Sequence, residues 1–141
     1  MTTATPPWVD AARSVLGTHE IAGAQDNPFV VSCLAGVGLP HQHDETAWCA
    51  AFVQWALKQT GVAGTGRANA RSYLTWGVAL DAPKLGAVCV FSRPPDPAHG
   101  HVAFYMGEHD GMVSVLGGNQ RNAVCVADYP RSRLIAMRWP V

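Results

Sequence analysis

A cysteine, a histidine and a carboxamide, far apart in the chain, are the residues whose types could do chemistry together. The cysteine is Cys49, in the run DETAWCAAF. The spacing predicts a helix from Thr46 to Gln59, on which Cys49, Phe52, Val53 and Ala56 share a face. Asp44 or Thr46 can cap that helix, Glu45 favours its positive end and Gly61 stops it. A thiolate in the first turn gains typically about 0.3–1 kcal/mol from the helix dipole. A neighbouring imidazolium can bring a cysteine pKa from roughly 8.5 into the range of about 3.5–7.5. The plainer use of such a residue is as a small buried hydrophobe.

A thiol nucleophile needs a base, and of the six histidines His101 is the best placed. It follows Gly100 and opens the strand pattern HVAFYMG, on which His101, Ala103 and Tyr105 share one face. The helix carrying Cys49 is expected to pack on that face. His99, in the proline-rich loop RPPDPAHG, is less rigidly held. A third group should accept a hydrogen bond from the other imidazole nitrogen. If 101–107 and 111–116 form a hairpin, Asn119 of VLGGNQ returns to the level of His101, and Gln120 could serve instead. A plain turn asparagine is the ordinary reading of that position.

The elements that must position these groups fall into two halves. TPPWVDAARSVLG reads as a helix with Thr5 as cap and Gly17 as stop, and NPFVVSCLAGVG repeats the grammar with Asn27 and Pro28. A glycine-rich loop, GVAGTGR, precedes a short helix across ANARSYLTW. Beyond it the period changes to two, and GAVCVFS, HVAFYMG, MVSVLG, NAVCVADY and RLIAMRWP are five strand candidates joined mostly by short turns. Helices followed by a strand meander predict an α+β fold, with N-terminal helices packed on an antiparallel sheet of about five strands. No repeat or linker divides residues 1–141, so a single domain is expected.

Composition narrows the function. The chain has 141 residues, 48% hydrophobic and 14% charged, which suits a packed globule. Ten basic and ten acidic side chains leave no footprint for nucleic acid or an anionic membrane. No run approaches the roughly 18 apolar residues of a membrane span. The start, MTTATPPWVDAARS, lacks the pattern of a secretory signal, so synthesis in the cytoplasm is expected. Cys33, Cys89 and Cys125 lie in apolar segments and are expected to be free structural thiols. Two rival functions remain. A zinc hydrolase could draw on His41, His43, His99 and His101, although no HExxH or CxxC spacing accompanies them. The other is a non-catalytic binding domain, which would keep the fold and tolerate loss of Cys49.

The runs WCAAFVQW, GHVAFYMG and VLGGNQ resemble the Cys, His and polar third-residue motifs of CHAP-type amidases, within the broader NlpC-like set of papain-fold peptidoglycan hydrolases. ARSVLGTHEIAG, DNP and ARSYLTWG resemble the lead-in segments of a compact subfamily seen in phage lysins and secreted antibacterial effectors, so the likeness spans nearly the whole chain. Many relatives carry aspartate where Ala87 follows Gly86. The resemblance implies a papain-like core, Cys49 as nucleophile, His101 as base and Asn119 as orienting residue. In such enzymes the third residue can also be His, Gln or Glu. It further implies cell-wall amides as substrate, no metal or other cofactor, and a monomer acting on the periplasmic or extracellular wall after delivery by a lysis or secretion system. A secreted effector would need a cognate immunity protein. Glu20, Glu45, Gln120 and the aromatic walls Trp48, Tyr73 and Trp76 are the expected substrate-binding residues, with core packing the plainer use of the three aromatics; the non-catalytic rival would here bind only cell wall or a partner.

Overall fold

A computed structural model of the chain describes residues 5–19, 27–38 and 48–141, with the side chains of 96–99 excepted. Three α-helices come first: α1 (Pro7–Arg13), α2 (Pro28–Gly36) and α3 (Cys49–Gln59). α1 opens with Pro6 at its cap position rather than Thr5, and no side chain caps it. At α2 the expected cap is present, the Asn27 side chain accepting from the Phe29 N–H at 2.9 Å. α3 ends in a Schellman arrangement: Val62 N–H donates to Leu57 O, Gly61 N–H to Lys58 O, and Gly61 takes φ +79°.

α3 begins three residues later than its expected start, with Trp48 at the cap position and no capping side chain. Asp44, Glu45 and Thr46 lie outside the described residues. Cys49 is therefore the first helical residue. The helix is apolar nearly all round, burying Cys49, Ala50, Ala51, Phe52, Val53, Ala56 and Leu57. Such a helix must be covered on every side. α1 and α2 pack on one flank, Phe29 of α2 meeting Trp55 at 4.7 Å edge to face, and the sheet covers the other. Burying one Phe- or Leu-sized side chain here stabilises the fold by about 1.5–3 kcal/mol.

Residues Ala70–Thr75 form a 3-10 turn, after which come six strands, β1 (Val78–Ala79), β2 (Val88–Arg93), β3 (Asp96–His109), β4 (Met112–Gln120), β5 (Ala123–Pro130) and β6 (Leu134–Trp139), with a second 3-10 turn, Arg131–Arg133, between the last two. The sheet is antiparallel throughout, in the order β1-β6-β2-β3-β4-β5. Five of the six strands coincide with the five strand candidates. The extra one, β1, is a two-residue edge without a period to read.

The two faces of the sheet have different partners. Val88, Val90, Val102, Phe104 and Leu116 face the helices. Cys89, Phe91, Ala103, Val113 and Val115 form a second cluster on the opposite face, with Tyr105 and Tyr129 against it. Phe91 on β2 and Tyr129 on β5 are three strand spacings apart, roughly 14 Å in a flat sheet. Their ring centroids are 5.2 Å apart, so the sheet curls around this second face.

Candidate active site

The helix head meets the sheet where the sheet comes apart. The β3–β4 ladder runs from His109–Met112 to Phe104–Leu116 and stops there. Beyond it, α3 approaches β4 at Gly118, where a Cβ would stand 2.5 Å from the Trp48 ring and 2.7 Å from the Phe52 Cβ. Only glycine admits that approach. The Val102 N–H, past the end of the ladder, points to the Cys49 sulfur.

Cys49 is 8% exposed. Burial pushes its thiol pKa up, while the N–H groups of Val102, Ala50 and Cys49 itself, with the Arg93 guanidinium, pull it down without overcoming the burial. Cys33, Cys89 and Cys125 are also free thiols. Burial pushes Cys33 and Cys89 up to about 12.

His101 is 7% exposed and projects from the face opposite the helices, contrary to the expectation that α3 would pack on its face. Its cross-strand partner Phe91 and its neighbour Ala103 both belong to the second cluster. Larger residues, Val102 and Phe104, take the helix-facing positions, because the apolar surface of α3 needs them. The thiol therefore reaches the histidine's strand at its open end, beside Val102. The imidazole lies 5.0 Å from the Tyr129 ring at 33°. Burial brings its pKa down to about 4, the hydrogen bond to the Gln120 oxygen opposing and the Arg93 and Arg133 charges assisting.

The carboxamide that meets this imidazole belongs to Gln120, not Asn119. Gln120 Oε1 lies 2.8 Å from His101 Nε2, and the Gln120 side chain is 2% exposed. The register explains the choice. Gly117 pairs with Cys125 and Gln120 with Ala123, so β4 advances three residues while β5 advances two. Asn119, at φ +58°, sits in the resulting bulge. One extra residue moves every later side chain to the other face, which turns Gln120 toward His101.

Gln120 also fixes the tautomer. Its Nε2 donates to Cys125 O at 2.6 Å and to Val115 O at 3.4 Å, two carbonyls that can only accept. Oε1 must then face His101, and an amide oxygen there requires the proton on Nε2. The lone pair of the neutral ring is left on Nδ1.

The expected binding residues divide. Trp48 and Tyr73 are fully buried, so neither ring lines a cleft. Trp48 is turned inward against Gly118 and Phe52, and Tyr73 accepts from Thr65 N–H inside the core. Trp76 is half-buried, donates from Nε1 to Ala63 O, and lines a groove of about 430 Å³ with Arg67, Asn69 and Arg71. Glu20, Glu45, His41 and His43 lie outside the described residues, as does the His99 side chain. Among the described residues no group of three His, Cys, Asp or Glu side chains is set to hold a metal ion, and no helix is long and apolar enough to cross a membrane. Tyr129, Arg93 and Arg133 are additions to the site. Tyr129 could have been found from its alternation with Cys125 and Ala127; the arginines stand outside any periodic pattern.

Helices on a curled antiparallel sheet, with a cysteine heading the central helix and a histidine on the adjoining strand, define a papain-like α+β domain. The chain belongs to the CHAP domain family, whose family model it matches over residues 41–119, more than half its length and including Cys49 and His101. CHAP domains are typically hydrolases acting on peptidoglycan, and the chain is one of this kind. No curated protein matches it.

Proposed function

We propose that the chain cleaves an amide bond of peptidoglycan with Cys49 as nucleophile, His101 as base and Gln120 as orienting group. The observation that carries this reading is the chain of hydrogen bonds from the Cys125 and Val115 carbonyls through Gln120 to His101 Nε2. It dedicates Nδ1 to accepting a proton, next to the strand position whose N–H meets the Cys49 sulfur.

The resting pair is neutral, because burial raises the thiol and lowers the imidazole. On attack, the thiol proton passes to Nδ1 as sulfur bonds to the carbonyl carbon. The Cys49 N–H, first in the helix and without an intrahelical acceptor, faces the developing oxyanion. Collapse breaks the C–N bond and His101 gives its proton to the leaving amine. Water, deprotonated by Nδ1, then attacks the thioester, releasing the acid and restoring the thiol. Trp76 and the groove beside it supply a surface for the rest of the substrate.

The protein acts in this reading as a lysin or antibacterial effector on the periplasmic or extracellular wall. As an effector it would be held inactive in its producer by an immunity protein over the site. The bond is either the amide joining lactyl to L-alanine or one within the stem or cross-link. Mass spectrometry of fragments released from purified peptidoglycan distinguishes them. Release should be abolished by thiol alkylation and unaffected by a chelator; the reverse pattern would sink the thiol mechanism in favour of a metal hydrolase.

A further inference from the structure

The open end of the sheet is basic. Arg93 ends β2, and Arg133 follows β5 in the turn leading to β6. Ser92 pairs with Gly100, the residue before His101, and Arg133 Nε donates to Ser92 O at 2.9 Å. This bond pins the Arg133 guanidinium 5.4 Å from the Tyr129 ring centroid, the same ring that lies against His101. Neither of its Nη groups has a hydrogen-bond partner among the described residues.

Neither arginine has a carboxylate partner among the described residues. The ion pairs there join Arg131 to Glu108 and His109 to Asp110 and Asp128, at the other end of β3. Arg93 is exposed and Arg133 half-buried. Two like charges held at one rim repel each other, and an anion between them relieves that repulsion. Both also act on the reacting groups, Arg93 lowering the Cys49 and His101 pKa values and Arg133 that of His101.

We propose that Arg93 and Arg133 form a carboxylate subsite beside Cys49, so that the substrate is an anionic stem peptide with a free carboxylate next to the scissile amide. This rests on the cleavage reading above and narrows its substrate. A guanidinium fork matches a carboxylate in plane and charge, and loses that match to a carboxamide.

The test compares two preparations of purified peptidoglycan, one unmodified and one with its carboxylates converted to carboxamides by carbodiimide and ammonia. Wild type should release fragments from the unmodified wall at least about tenfold faster. Arg93→Gln and Arg133→Gln should each lose most of that preference, mainly through KM, while melting like wild type. Arg13→Gln, at an exposed arginine on α1 that belongs to neither strand end, should keep it. Equal cleavage of both walls by wild type, or an undiminished preference in Arg93→Gln and Arg133→Gln, overturns the subsite. Sedimentation of the Cys49→Ala protein with the same two walls separates the failures. Binding that favours unmodified wall and is lost with the arginines upholds the subsite even if wild type cleaves neither wall. Equal sedimentation with both walls refutes it whatever the cleavage result.

Discussion

Gln120 is held at both ends, by Cys125 and Val115 carbonyls on one side and by His101 on the other. Gln120→Leu removes the acceptor for Nε2–H and frees the ring to take the other tautomer, so kcat should fall about 10²-fold. Asn119→Ala makes no such loss of acceptor, and its effect on kcat should be several-fold smaller. Steady-state fragment release by the two variants checks this, and the reverse ranking would return the role to Asn119. The raised Cys49 pKa has its own consequence. At neutral pH the resting thiol should react slowly with iodoacetamide, and the alkylation rate should climb as pH rises past the ordinary thiol range. A rate already at its plateau near pH 6 would mean a preformed thiolate–imidazolium pair. The sequence brought Cys49, His101 and Gln120 within consideration, because their types and order are visible. It did not separate Asn119 from Gln120, since a bulge at φ +58° depends on the backbone and Asn merely tolerates it.

At the scale of elements, the site depends on how closely α3 can approach β4. Gly118→Ala sets a Cβ against Trp48 and Phe52, so α3 must move or the sheet must open further. Overpacking of this sort costs about 1–3 kcal/mol. Because Trp48 precedes the nucleophile, activity should fall by more than the loss of stability accounts for. Thermal melting alongside fragment release tests the point; unchanged kcat in a variant with a lower Tm would show that the thiol does not depend on this contact. The elements themselves were largely legible. Asn27-Pro28 announced α2, Gly61 closed α3, and the alternation from Val88 onward gave the five long strands. The face of His101 was not legible. Val102 and Phe104 compete with Ala103 for the helix side, and the larger apolar residues win because α3 is apolar all round.

The whole molecule carries the cost of a buried base. His101 titrates near 6.5 when unfolded and about 4 when folded, so between those values the unfolded chain binds the extra proton. Stability from this group is complete above pH 6.5 and falls as pH drops toward 4, by about 3 kcal/mol in all. That is a large share of the roughly 5–15 kcal/mol typical of a domain. Urea unfolding at pH 7, 5.5 and 4 should show the decline, and His101→Gln should flatten it; parallel declines in both proteins would assign the acid sensitivity elsewhere. Curling of the sheet is the other property of the whole. It brings Tyr129 from β5 onto His101 and Phe91, contacts between strands that are not neighbours and so leave no periodic mark in sequence. The proposed hydrolysis stands on the Cys49 thiol. Fragment release from purified peptidoglycan by wild type and by Cys49→Ala, both verified as folded by circular dichroism, tests it most directly. The variant should release nothing above the enzyme-free background, whereas release at the wild-type rate would rule out Cys49 as the nucleophile.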